Sequence, residues 1–403
     1  MLSSAAQTRL SALALFFALL PSARARAGDK PVKPTATPKT APKAPPKRPA
    51  PVAFHGGMVL PLHSEDPRFS YAPQVREVAQ LGATHISFIV RIYQEHARSP
   101  GPLRHPTKTP RDAILLEAIK EARRSGMQVL LMPIVLLEKP GEDDWRGNIA
   151  PPDWDAWFAA YQNLLLHFAR LAEEGGASTL LVGSELSSTE ARVEDWRRLI
   201  NATRRRFSGQ LGYSANWDHY DEVQFWKQLD YMGISGYYEL TDSLTPNLDQ
   251  LKTAWRIVRF RILEWRRKQG LDELPLLFTE LGYASQDGCA SKPWNYFFSK
   301  TVDLEEQRLC YQAFTEVWAK VPELRGVYFY EWWGHGGPED TSYTPRGKPV
   351  EGLLRRWYRK IRARNQRLAE AIKAAEAKTS GETEAPKMTG PAPDRPGRSE
   401  RGQ

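Results

Sequence analysis

Two glutamates, Glu185 and Glu280, each close a short apolar run: Ser178-Thr-Leu-Leu-Val-Gly-Ser-Glu185 and Leu274-Pro-Leu-Leu-Phe-Thr-Glu280. Runs this short and this apolar read as strands covered on both faces, as in a parallel sheet. A carboxylate placed where such a strand emerges is rigidly held, with one end in a pocket rather than in open water. In a barrel of parallel strands, that edge is where active sites are built. Two such acids with aromatic residues around them suit cleavage of a glycosidic bond.

The elements that would position them alternate regularly. Strands are expected over 53–55, 84–90, 128–135, 179–183, 211–215, 231–235, 276–279 and 327–330. Helices are expected over 74–81, 111–124, 153–174, 193–207, 221–229, 248–268, 304–320 and 352–375. Gly82, Gly126, Gly175, Gly209 and Gly270 follow helices, where a left-handed residue is commonly needed, and Asp153 and Asp303 read as N-caps. Eight such repeats predict a single (β/α)8 barrel with enlarged loops. A doubly wound open sheet is the rival, but no Gly-rich phosphate loop follows the first strand.

If the barrel closes, the carboxyl ends of its strands converge on one site. In order they carry His55, Arg91, Pro133, Glu185, Asn216 with Trp217, Tyr237 with Tyr238, Glu280, and Trp332 with Trp333. Such a set mixes acids, a fixed cation and aromatic faces, which suits sugars: their C–H faces stack on rings while hydroxyls need directional partners. Neighbours on a strand face opposite ways, so one of the two last tryptophans should be core, and Trp332 is expected to face the sugar. His55 could line the pocket floor or donate to a backbone carbonyl. Asp143, Asp144 and Trp145, in the long loop after the third strand, suggest a cleft wall.

The order of the two acids, on the fourth and seventh strands, resembles glycoside hydrolase clan A. Within that clan, Trp157-Phe-Ala-Ala-Tyr161, His167-Phe-Ala-Arg-Leu-Ala172 and Leu181-Val-Gly-Ser-Glu-Leu186 look like glycoside hydrolase family 113. So do Gly233-Ile-Ser-Gly-Tyr-Tyr238, Phe278-Thr-Glu-Leu-Gly-Tyr283 and Tyr343-Thr-Pro-Arg-Gly-Lys-Pro349, and the likeness spans roughly residues 53 to 360. It implies endo-acting hydrolysis of β-1,4-linked mannan-type polysaccharide with retention of configuration. By position Glu185 would be the general acid/base and Glu280 the nucleophile. Glu185 should then have a raised pKa, and Arg91 with the Tyr237 hydroxyl should keep Glu280 ionised. The clan usually places Asn before the acid/base, against the sugar 2-hydroxyl, where this chain has Ser184. The histidine found on the third strand in parts of the clan is replaced by Met132-Pro-Ile134. The substrate-binding set is therefore Arg91, Ser184, Asn216, Trp217, Tyr237 and Trp332. Another clan A specificity, or a glycan-binding barrel without catalysis, remains as the alternative.

Outside the barrel the chain has a different character. Arg9 precedes the apolar stretch Leu10–Leu20, and Ala25-Arg-Ala27 offers a cleavage site, so residues 1–27 read as a signal peptide. The stretch is too short to span a bilayer, and no transmembrane anchor is expected. Residues 28–51 hold eight prolines and six Lys or Arg, a composition for an extended, disordered linker. The domain should occupy 52–377 and a polar, disordered tail 378–403.

Residues 1–52 carry a net charge of +8 and the tail +1 of the chain's +9, leaving the body near zero. The basic balance therefore does not argue for nucleic-acid binding; it fits a secreted, periplasmic or cell-surface protein whose linker could associate with an anionic surface. The eight histidines show no metal-ligand spacing, so no metal or cofactor is expected. Cys289 and Cys310 could form a disulfide or remain two buried thiols.

Overall fold

A computed structural model describes residues 53–381, with side chains to 375. The expected signal peptide and linker lie outside these residues, as does most of the expected tail. Eight parallel strands close in chain order into one barrel. They are β1 His55–Pro61, β2 His85–Gln94, β3 Gln128–Leu137, β4 Thr179–Ser184, β5 Gln210–Asn216, β6 Tyr231–Ser235, β7 Leu276–Leu281 and β8 Leu324–Phe329. Around them run α1 Ala72–Leu81, α2 Asp112–Arg124, α3 Trp154–Gly175, α4 Val193–Arg204, α5 Leu248–Gln269, α6 Leu304–Trp318 and α7 Pro349–Gly381. The (β/α)8 architecture is the expected one, and no described helix is long and apolar enough to cross a membrane.

Local chemistry explains most boundaries. Asp153 accepts the N–H groups of Asp155 and Ala156 at the start of α3, and Asp303 accepts that of Glu306 at the start of α6. Helix α3 runs one residue further than expected, so its left-handed cap is Gly176 (φ 76°) rather than Gly175. Gly209 has no left-handed conformation.

Two elements depart from expectation. The first strand was placed at 53–55, but β1 begins at His55 and runs to Pro61. Gly56, Gly57 and Pro61 read as strand breakers, yet here the missing side chain is the point. A Cβ at Gly57 would overlap the ring of Tyr328, which fills the barrel interior. His55 consequently sits at the amino edge of the barrel, opposite the site. There it stacks on His85 with ring centroids 4.0 Å apart.

The helix expected over 221–229 is a loop with a single 3-10 turn, Trp226–Gln228. Geometry gives the reason. The chain between Asn216 and Tyr231 must form part of the rim and then descend the height of the barrel, about 20 Å for strands of this length. A nine-residue helix rises only about 14 Å. An extended path with four buried anchors, Val223, Phe225, Trp226 and Leu229, covers the distance instead.

The interior is packed by Val59, Ile89, Leu130, Met132, Ile134, Leu181, Tyr231, Leu277 and Tyr328, separate from the larger layer between strands and helices. Strands β2 and β3 stay paired over ten rungs, from His85↔Gln128 to Gln94↔Leu137, and project past the rim as one wall of a cleft. The register slips between β4 and β5, β6 and β7, and β7 and β8. Such bulges re-aim side chains, and these fall where the two glutamates emerge.

Candidate active site

At the carboxyl edge lies a cavity of about 750 Å³, lined by both Glu185 and Glu280. Glu185 follows the last residue of β4 with φ 52°, a left-handed conformation that a residue with a side chain adopts only under constraint. The constraint is visible: its N–H donates to the Ser214 carbonyl at 2.8 Å, and the next N–H, of Leu186, donates to the Tyr213 hydroxyl at 3.0 Å. Tyr213 in turn donates to Glu190 at 2.7 Å, and burial pushes the Glu190 carboxyl up to about 7.

Glu280 lies within β7 and is 4% exposed. The Tyr237 hydroxyl donates to its Oε2 at 2.8 Å. Beneath both acids runs a buried hydroxyl layer, in which Ser214 Oγ lies 3.0 Å from Ser235 Oγ and 2.5 Å from Thr279 Oγ1. This layer ties β5, β6 and β7 together directly below the reacting edge.

Charge is concentrated in this space. Burial, and then the negative charge of Glu185, push the Glu280 carboxyl up to about 8, against the pull of Arg146 and the Tyr237 hydrogen bond. The two carboxyls therefore share one electrostatic environment. Arg146 Nη2 sits 2.5 Å from Glu185 Oε2. Burial works against the Arg146 charge, but Glu185 and Glu280 more than offset it and raise its pKa. Burial and the Glu280 charge also keep the Tyr237 hydroxyl protonated far above its ordinary range.

Of the residues read as substrate-binding, Arg91, Asn216, Trp217 and Tyr237 line the cavity. Asn216 Nδ2 donates to Asp218 at 2.9 Å, coupling two cavity groups. Arg91 is present, but the cation that acts on Glu280 is Arg146. Arg91 instead faces His63, which burial and the Arg91 charge lower to about 3, and Glu331, which burial raises to about 7 despite the Arg91 charge.

The other sequence candidates lie elsewhere. Trp332 is 3% exposed, and its indole donates to Glu77 of α1 at 2.9 Å, away from the cavity. Strand β8 ends at Phe329, so alternation no longer governs the residues beyond it, and Tyr330 supplies the aromatic wall instead. Trp333 packs near His63, Phe69 and Tyr71. Ser184 is 1% exposed, one residue below the wall, and its hydroxyl has no hydrogen-bond partner among the described residues. Pro133 fails by one position: Met132, Ile134 and Leu136 are the inward set on β3, and a single step reverses the face. His55 and the true end of β1 differ by a whole strand, which leaves His63 as the histidine at the cavity.

Sequence reading missed Arg146, although its neighbour Trp145 was singled out. The loop folds on itself: Asp144 accepts the Gly141 N–H, and Asn148 bonds the Asp143 carbonyl and the Trp145 N–H. Those acids brace the loop, while Trp145 and Arg146 line the cavity. Tyr343 lines it too and lay within a quoted motif. Cys289 and Cys310 are both buried free thiols here.

Comparison with known proteins agrees with this geometry. The sequence pattern of glycoside hydrolase family 113 matches residues 69–348. No curated protein shows significant sequence similarity to the chain. Among solved structures, a family 113 β-1,4-mannanase superposes with a TM-score of 0.69 at 26% identity, over 76% of this chain and 99% of its own. The family 113 β-mannanase of Alicyclobacillus acidocaldarius gives 0.67 at 25% identity, over 77% and 98%. A family 5 mannosidase from Rhizomucor miehei shares the fold with a TM-score of 0.55 at 10% identity, covering 78% of this chain and 95% of its own. With the family pattern covering most of the barrel and both glutamates on one cavity, the chain belongs to glycoside hydrolase family 113.

Proposed function

We propose that this glycoside hydrolase cleaves internal β-1,4 linkages of mannan-type polysaccharide with retention of configuration, as an exported enzyme. The observation that carries the reading is the pair Glu185 and Glu280 on one cavity wall, with Tyr237 bonded to Glu280. The similarity to β-mannanases over nearly their full length supports the substrate class.

In this reading Glu280 attacks the anomeric carbon while Glu185 gives a proton to the departing glycosidic oxygen; Glu185 then removes a proton from the water that releases the glycosyl-enzyme. Glu280 must be ionised to attack, and its resting environment favours the protonated form. Glu185 must hold a proton to act as acid, and it is ion-paired with Arg146. Productive binding therefore requires a proton to pass from Glu280 to Glu185 and the Arg146 pair to open. Removal of water from the cavity by the sugar, with Tyr237 donating to Glu280, supplies the setting for that transfer. Ser184, buried below the wall, leaves recognition of the sugar 2-hydroxyl to other groups.

Product release from β-mannan, glucomannan, xylan and mixed-linkage β-glucan, resolved by chain length, tests the substrate. The anomeric configuration of the first-formed product, followed by NMR, tests retention. Glycan binding with no product after prolonged incubation would favour the non-catalytic alternative.

A further inference from the structure

Four aromatic rings stand exposed within five residues of the loop joining β7 to α6: Trp294 is 47% exposed, Tyr296 55%, Phe297 81% and Phe298 43%. Exposed apolar surface this dense is uncommon on a soluble protein and usually marks a binding site. Trp294 and Tyr296 also line the catalytic cavity, and Phe297 continues outward from them, its ring centroid 4.3 Å from that of Tyr296. Tyr343, inside the cavity, lies 6.2 Å from Tyr296. The rings thus form one track from the reacting edge to solvent.

The loop that presents them is braced. The Tyr343 hydroxyl donates to the Pro293 carbonyl at 2.6 Å, and Gln286 donates to the Asn295 carbonyl at 2.5 Å. Asn295 Oδ1 accepts the Phe297 N–H at 3.0 Å. Glu306 of α6 accepts the Gly288 and Ala290 N–H groups at 2.8 Å each. Lys292 pairs with Glu239, another cavity residue, at 2.7 Å. Rings held this way lose little entropy when a ligand covers them.

We propose that Trp294, Tyr296 and Phe297 are an accessory binding track for the part of a β-linked glycan chain that emerges from the catalytic cavity. The proposal rests on the glycosidase reading of that cavity and extends it to a substrate several sugars long. Continuity with the cavity selects a glycan over a protein partner. So does the chemistry of the rim, where ring faces alternate with the Lys292–Glu239 pair and Asn295, as the C–H faces and hydroxyls of a sugar chain require.

Binding to the Glu280→Gln protein, in which turnover is removed, tests the track by calorimetry with β-1,4-manno- and gluco-oligosaccharides of increasing length. Affinity should rise with length, and adding Trp294→Ala with Phe297→Ala should remove about tenfold of that gain for the longest chains, with the loss growing as the chain lengthens. Phe297→Ala alone alters only an exposed ring and serves as the folding control. Equal loss at every length, no loss at any length, or no binding of either series overturns the proposal. Length-dependent binding that depends on these rings, together with a wild-type protein that cuts no polysaccharide, sustains the track and removes the hydrolytic reading instead.

Discussion

Arg146 and Glu185 form an ion pair at 2.5 Å on the wall of the same cavity that holds Glu280. One cation thus serves two acids, and it is the one that offsets the cost of charging Glu280. Replacing it with glutamine leaves two buried carboxyls facing each other without a counter-charge. The Glu280 pKa then rises further, so the acid limb of the kcat/KM profile should move to higher pH by about one unit. An acid limb at its wild-type position would show that Arg146 does not govern the pair.

Tyr237→Phe removes one hydroxyl and leaves the ring against Ala284 and Tyr343. Its hydrogen bond to Glu280 is lost, and with it a fixed donor at the reacting carboxyl. In the proposed reaction kcat/KM should fall roughly 10²-fold with no change in melting temperature. A variant within twofold of wild type would place that donor outside the chemistry.

Glu280→Gln should abolish hydrolysis and stabilise the fold. The folded carboxyl is raised to about 8, whereas an unfolded one titrates near 4.5. A raised acid favours folding below the unfolded value, and the advantage is lost as pH climbs from 4.5 through 8. The neutral amide avoids this loss, so at pH 8 the variant should melt a few degrees higher than wild type, and the gain should fade toward pH 4.5. Thermal scans across that range check both the sign and the window.

At the opposite edge, burial lowers His55 to about 4 and also holds His85 well below its ordinary value. A depressed histidine stabilises the fold above its unfolded value of 6.5, and that contribution disappears as pH falls toward 4. The loss for His55 alone is on the order of 3 kcal/mol. His55 therefore contributes a fall in melting temperature between pH 6.5 and 4.5, opposite in sign to the contribution of Glu280, and His55→Gln should remove that component even if it lowers the starting value. Parallel slopes in the two proteins would count against a buried, neutral His55.

The barrel was legible because each strand carries apolar residues on both faces and most helices end on a glycine. Glu185, Glu280 and Tyr237 were legible because they lie at or just past the carboxyl ends of such strands. The first strand was not, since Gly57 is selected by contact with Tyr328 and Gly56 by the approach of Tyr358 and Ile361, residues far away in sequence. Arg146 was hidden for a related reason: the polar loop that carries it has no periodicity, and only its folded turns aim the guanidinium inward. Trp332 failed because alternation was extended past the end of β8, and Pro133 because the register slipped by one.

The stretch from Trp217 to Asp230 has two duties in one short span. Its beginning furnishes Trp217 and Asp218 to the cavity, and its end plugs the jacket with Phe225 and Trp226, the latter's indole anchored on the Tyr220 carbonyl at 2.9 Å. Elsewhere a helix insulates recognition from architecture; on this side nothing stands between them. Remodelling specificity through Trp217 therefore disturbs the shell itself, whereas the separate, self-braced excursion bearing Trp145 and Arg146 is free to change without loosening the barrel.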